Sequence, residues 1–371
     1  MAYNSGVNFS FLRNVALKGL AIFLVLSLLI GLIPADALGR VSVYNHLVPG
    51  RARLPFGETP QRSYNLSLYN LEAMFASHEV SRPKAADEFR VVVLGDSSIW
   101  GTLLRPEETL AGRLNARGMT VCDRNAQFYN LGYPTISLAK DVLILDRVLE
   151  EKPDLVIWST TLEAFPVDKL TASPLAQNNR ARLQPLLGEA SSTDDQPVSF
   201  LANTLFGRRR ELADWARLQL YGIPWAATGI DQDYPSRYPA ADNDLEADTS
   251  FHGLKPGDDL HAALAWNVLE KGLHLAEQAG VPLILVNEPV MISNGENSDI
   301  RYNFYYPRWA YDTYREELNR RADAGGWIFV DAWDVIDRQE FTNSAIHFSP
   351  AGVGTLAEVV SDVVKGQTPC R

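Results

Sequence analysis

Cysteine is nearly missing from this chain: of 371 residues, only Cys122 and Cys370 carry a thiol. That excludes a disulfide-dense scaffold and a four-cysteine zinc site. The sequence holds no C-x-x-C, no H-E-x-x-H and no G-x-x-x-x-G-K-[ST], so the redox, zinc-protease and P-loop readings drop out. Positive charge is in deficit. Lys and Arg total 34 against 45 Asp and Glu, a net charge of −11. Such a surface repels phosphate backbones, and no nucleic-acid partner is expected. A repeat of 20–50 residues is also lacking, which argues against a solenoid or propeller. What is present is ordinary for a folded protein: 46% hydrophobic and 21% charged residues. The length fits one large domain with insertions or two small ones. No cofactor or metal is expected.

The amino terminus addresses a membrane. Gly19–Ile33 is a run of fifteen uncharged, mostly apolar residues. Arg13 and Lys18 precede it, and no acid appears before Asp36. This asymmetry predicts a cytoplasmic amino terminus and an exported remainder. Counted from Val15, the run reaches nineteen residues, close to the ~20 that span a bilayer. Residues 1–38 therefore read as a cytoplasmic lead with a signal anchor. The alternative is a signal peptide cleaved near Ala35-Asp36-Ala37, which would release a secreted protein. Export permits a Cys122–Cys370 disulfide, and two buried thiols stay open as the other state. Residues 39–88 are polar, with Pro49, Pro55, Pro60 and Pro83 scattered through them. They read as a linker leading into the domain, with one short helix near Leu68–Ser77.

From residue 89 the pattern changes. Phe89–Leu94, Ala126–Leu131 and Pro153–Trp158 are short apolar runs that read as buried strands. Between them lie a helix from Pro106 to Arg117 and another opened by Ser137, with Leu138, Val142, Leu145 and Leu149 on one face. The alternation pauses from about 166 to 256, an insertion that holds the polar run Ser191–Gln196. It also holds a predicted helix from Phe200 to Leu220 with Arg208, Arg209, Arg210 and Arg217. That helix suits either a membrane or partner surface, or packing on its own domain. A helix over Asp258–Gln278, a strand over Val281–Val286, a helix over Tyr311–Ala324, a strand over Trp327–Val330 and a last helix opened by Ser349-Pro350 follow. Its stripe is Val353, Leu356, Val360 and Val363. Five strands with crossover helices predict a doubly wound α/β domain, a parallel sheet of order 2-1-3-4-5 covered on both faces, over residues 89–371. In such sheets ligands bind beyond the carboxyl ends of the strands.

Two candidate groups stand at such ends. Gly95-Asp96-Ser97 follows the first strand. A glycine lets the chain turn off the strand, and the serine hydroxyl and its own amide then face one point, as a nucleophile and half an oxyanion hole require. His347 lies after the fifth strand and before the last helix, where the topology returns the chain over strand one. It is the expected general base.

Gly95-Asp96-Ser97, Asn130-Leu131-Gly132 and His347-Phe348-Ser349-Pro350-Ala351-Gly352 resemble the first, second and fifth sequence blocks of the SGNH/GDSL hydrolases. The resemblance spans about 89–166 and 282–365. It implies a flavodoxin-like three-layer α/β sandwich with a five-stranded parallel sheet, and ester or acyl chemistry with Ser97 as nucleophile, Gly132 as an oxyanion amide and His347 as base. Two positions depart from the pattern. Ser159-Thr160-Thr161 stands where the family has an asparagine turn, so Thr160 or Thr161 is the expected replacement donor. Ser344 stands where the family has the aspartate that orients the histidine. Asp331, or Asn343, is the expected orienter. The combination of anchor and blocks is similar to proteins that accompany membrane-bound O-acyltransferases, which implies an acyl-ester or glycan substrate and such a partner. The alternative is a catalytically impaired member of the fold that binds or scaffolds.

Overall fold

The computed structural model describes residues 9–33, 35–57, 69–188 and 204–370. The run Ser191–Gln196, Pro60 and the first residues of the predicted 200–220 helix lie outside them. Six strands form one sheet: β1 (Glu88–Leu94), β2 (Thr120–Val121), β3 (Arg124–Asn130), β4 (Leu155–Thr160), β5 (Leu283–Asn287) and β6 (Ile328–Asp331). Their order is β2-β3-β1-β4-β5-β6. The five longer strands are parallel and follow the predicted order. The predicted count of five is corrected to six, because β2 adds an antiparallel edge of two residues. A pair that short has no alternation for a sequence to display.

The helices that matter here are α1 (Phe9–Gly31), α2 (Leu71–Ser77), α3 (Ser97–Trp100), α4 (Leu110–Asn115), α5 (Leu138–Val148), α6 (Arg209–Thr228), α7 (Trp266–Gln278), α8 (Arg308–Gly325) and α9 (Pro350–Gln367). Strand residues alternate between faces, and two apolar cores follow from that period of two. Val92, Leu94, Val156, Trp158 and Leu285 face α5, α7 and α8. Val91, Val93, Ile157, Ile284, Val286 and Val330 face α4 and α9. The result is a three-layer α/β fold. The stripe on α9 buries Val353, Leu356 and Val360, with Val364 completing it and Val363 only partly covered.

Local boundaries moved for physical reasons. The predicted 106–117 helix opens with a 3-10 turn at Pro106–Glu108, and Thr109 then caps α4 by accepting the Gly112 N–H. The predicted 258–278 helix is split because Leu264 bridges to Pro166 and Ala265 N–H donates to the Phe165 carbonyl. Residues leading into the domain are packed, with Tyr44, Leu54, Arg51 and Arg53 all buried. Cys122 and Cys370 are joined in a disulfide. Helix α1 is exposed along nearly all its length and is long and apolar enough to be a membrane anchor or a signal sequence.

Candidate active site

Strand β1 delivers the chain to Gly95, whose φ of +156° turns it sharply off the sheet. A Cβ there would meet Ile99 Cγ1 at 2.5 Å, so glycine is required by both angle and space. Asp96 caps α3 by accepting the Ser98 N–H at 2.8 Å. Ser97 is thereby the first residue of α3, and among the described residues its N–H has no partner, as first-turn amides commonly lack one.

His347 arrives from the far end of the chain on a loop pinned at several points. Phe341 and Phe348 bridge and pack edge to face at 5.4 Å, Thr342 N–H donates to the His347 carbonyl, and Ser349 caps α9. The loop places His347 Nε2 2.8 Å from Ser97 Oγ. Its Nδ1 lies 2.9 Å from Asn343 Oδ1. An amide oxygen only accepts, so the ring proton sits on Nδ1 and Nε2 is free to accept from the serine hydroxyl. Burial pushes the His347 pKa down to about 4. The imidazole is therefore neutral, and able to act as a base, over the whole physiological range.

Asp331 is not the partner of His347. Its carboxylate accepts from Asn287 Nδ2 at 2.8 Å, Arg315 Nε at 2.6 Å and Asn319 Nδ2 at 3.2 Å. The reason is strand parity. Val330 faces α4 and α9, so Asp331 points to the opposite layer, toward α8. The expected oxyanion donors also sit differently. Gly132 N–H donates to Asn130 Oδ1 at 3.0 Å. Gly132 is glycine for a separate reason, since a Cβ would meet the Trp100 backbone nitrogen at 2.3 Å. Thr161 Oγ1 bonds the Tyr306 hydroxyl at 2.9 Å, and Thr160 Oγ1 is buried with no partner among the described residues. Neither threonine lines the cleft above Ser97.

That cleft has a volume of about 430 Å³. Phe56, Trp100, Pro134 and Ile136 give it an apolar side, while Asp231, Asp233, Asn343 and His347 give it a polar one. The wall comes from segments outside the strand–helix repeat. Arg53 forks onto Asp231, Nε at 2.8 Å and Nη2 at 2.5 Å. Its Nη1 donates to the Trp100, Gly101 and Leu104 carbonyls, which closes the carboxyl end of α3. Gln232 donates to the same Gly101 and Leu104 carbonyls. Asn343 is shared with a second cavity of about 760 Å³ that holds Glu163, His252, Arg301 and Phe304. His252 Nε2 lies 3.2 Å from Glu163, and that bond raises the histidine pKa. Among the described residues no group of three or more His, Cys, Asp or Glu is arranged to hold a metal ion.

Beneath the serine turn lies a buried polar group that no pattern announced. Glu288 accepts from Ser98 Oγ at 2.6 Å. Lys140 Nζ donates to the Gly95 carbonyl at 2.7 Å and to Asp141. Burial raises the pKa of Glu288 well above the usual range, with the Asp96 charge adding to it. Burial also lifts Asp141 to about 6 and raises Asp96. Three carboxyl groups share one ammonium, and the proton goes to the one with least compensation. Lys140-Asp141 on an amphipathic helix reads as a solvent face. Glu288 had one available signal, its place just past the carboxyl end of β5.

No family model and no curated protein matches the chain. The chain is similar to solved structures of the lipolytic G-D-S-L family. A G-D-S-L family protein from Veillonella parvula is 11% identical, with 74% of this chain and 97% of that one covered and a TM-score of 0.37. A GDSL-like lipase from Bacteroides thetaiotaomicron is 9% identical, with 80% and 97% covered and a TM-score of 0.38. A carbohydrate acetylesterase from Sinorhizobium meliloti is 15% identical, with 74% and 98% covered and a TM-score of 0.33.

Proposed function

We propose that this protein is an extracytoplasmic serine esterase or O-acyltransferase, tethered by α1, acting on acyl esters such as those of exported or cell-surface glycans. One observation carries the reading: Ser97 Oγ is 2.8 Å from a neutral His347 whose other nitrogen is held by Asn343, at the mouth of a cleft. His347 Nε2 takes the Ser97 proton as Oγ attacks the acyl carbonyl carbon. The carbonyl oxygen becomes an oxyanion beside the free Ser97 N–H. Protonated His347 returns the proton to the departing alkoxide, leaving an acyl-serine. The same ring then deprotonates water or a sugar hydroxyl, whose oxygen takes the acyl group as the acyl–Oγ bond breaks and the proton returns to Ser97 Oγ.

A fluorophosphonate probe and p-nitrophenyl acetate test this on the full chain. Wild type is labelled and hydrolyses the ester, while Ser97→Ala is unlabelled and inactive. Ser97→Ala with undiminished hydrolysis sinks the reading.

A second reading has its own support. Gly132 N–H is engaged by Asn130 and the two threonines lie outside the cleft, so of the expected donors only the Ser97 amide is left without a partner among the described residues, where acyl chemistry uses two or three. This favours a catalytically impaired protein of the same fold that binds glycan or scaffolds a membrane-bound O-acyltransferase. Folded wild type that takes no label supports it.

A further inference from the structure

The connection between α1 and the domain is stitched to α6 at successive points. Arg208, buried just ahead of α6, donates from Nη1 to the Ile33 carbonyl at 2.7 Å and the Ile30 carbonyl at 3.3 Å. These lie at and just past the carboxyl end of α1, where a cation is favoured, and the Ile30 carbonyl also accepts the Ile33 N–H at 3.1 Å. The rest of the guanidinium is held by Glu211 at 3.0 and 2.9 Å. Trp215 Nε1 then donates to the Val41 carbonyl at 2.5 Å, Gln219 Oε1 accepts the Val43 N–H at 2.8 Å, and the Tyr44 hydroxyl donates to the Leu218 carbonyl at 3.1 Å. A Cβ on Gly222 would strike Tyr44, so this face of the helix is closely fitted.

The opposite face is bare. Arg210, Ala213, Arg217, Leu220 and Ile223 recur at three- and four-residue steps along one stripe of α6, and Phe206 lies in the turn just ahead of it. Phe206 is 67% exposed, Leu220 69% and Ile223 64%. The stripe holds no acid, although the chain carries −11 overall. Of the nearby carboxylates, Glu211 is paired with Arg208 and Asp214 lies 3.5 Å from Arg217. An apolar stripe interleaved with arginine is the composition of a helix that lies in a lipid–water interface. Basic side chains at that depth are drawn to anionic headgroups.

We propose that the exposed face of α6 lies on the anionic phospholipid surface from which α1 emerges. The occupant follows from continuity: Arg208 ties the start of α6 to the last turn of α1, so the helix begins where the span leaves the bilayer. At 20 residues it runs about 30 Å along that surface. The inference rests on the anchoring part of the reading above, and not on its chemistry.

The test uses the full chain in vesicles of phosphatidylcholine and phosphatidylglycerol. Spin labels are placed singly through Leu24→Cys in α1, Leu220→Cys and Ile223→Cys in α6, and His274→Cys as an exposed control. The native cysteines are paired and take no label. Accessibility to oxygen is compared with accessibility to a water-soluble nickel chelate. Labels at 220 and 223 are expected to show an oxygen-to-nickel ratio several-fold above that at 274, approaching the ratio at 24. Arg210→Glu combined with Arg217→Glu lowers the ratio at 223 toward the control. Water-like ratios at 220 and 223 with a lipid-like 24 overturn the proposal while the anchor stands. Water-like ratios at all positions overturn the anchor with it. Labels at 220 and 223 that exclude both reagents mean a protein covers the face, which also overturns the proposal.

Discussion

At the residue scale the site is a histidine held by an amide instead of a carboxylate. Asn343 fixes the tautomer of His347 but adds no negative charge to stabilise the imidazolium. With burial holding the ring at about 4, the acid limb of kcat/KM is expected near pH 4, well below that of an unperturbed histidine. Asn343→Asp places a carboxylate on Nδ1 and favours the charged ring, so the limb moves to higher pH. A pH–rate profile that does not move shows that Asn343 is not the orienting group. Asn343→Leu frees the tautomer, and a loss on the order of 10²- to 10⁴-fold in kcat is expected, the range that general-base catalysis contributes.

Glu288 gives a second residue-scale expectation. Its folded pKa is raised, so the folded state holds a proton that the unfolded chain releases above its ordinary value near 4.5. The contribution is full below that pH and is lost as pH rises through the folded value. Glu288→Gln keeps the shape and the Ser98 partner without the proton. It should match wild type in acid and exceed it in alkali, gaining up to ~1.4 kcal/mol per pH unit in between. Denaturant unfolding at several pH values reads this directly. Equal stability at every pH means Glu288 is not protonated in the fold.

At the element scale, the sequence made some features legible and left others silent. The five parallel strands were readable because each is a β-branched or aromatic run ending in glycine or a polar turn. The serine and histidine were readable because both stand at strand ends. Asp331 misled because position at a strand end says nothing of parity, and its side chain went to the α8 layer. The predicted helix over 200–220 stops short of Pro224. In the structure the helix continues past it to Thr228, whose hydroxyl bonds the Pro224 carbonyl. The Arg53–Asp231 clamp was illegible, since its halves are 178 residues apart in segments with no periodicity. That clamp closes the carboxyl end of α3, the short helix that carries Ser97. Asp231→Ala leaves Arg53 buried and unpaired, at a cost of about 3–5 kcal/mol. Thermal unfolding of the full chain measures it, and a change under 1 kcal/mol means the clamp is better hydrated than its burial implies.

At the scale of the whole molecule, two distant segments, residues 41–44 and Cys370, are each tied to the domain. The amino-terminal approach is held through α6, and the carboxyl terminus through Cys370 on Cys122. Cys122 and Asp123 both have positive φ, 50° and 58°, and form the two-residue turn between β2 and β3. Two left-handed non-glycine residues are unfavourable alone, and they match the twist that a two-residue hairpin needs. The disulfide secures that edge hairpin and closes a loop of 248 residues. Chain-entropy scaling puts the effect of such a closure at roughly 5 kcal/mol, with typical removals costing about 2–5 kcal/mol. Cys122→Ser with Cys370→Ser should therefore lower stability by that amount while leaving the distance from Ser97 to His347, and so fluorophosphonate labelling of the folded protein, unchanged. The bridge lies at the β2 edge and the site at the carboxyl ends of β1 and its neighbours. Loss of labelling at temperatures where the variant is still folded would mean that the hairpin, through the Asn115 side chain that bonds the Phe128 backbone of β3, helps hold α4 and the serine turn in place.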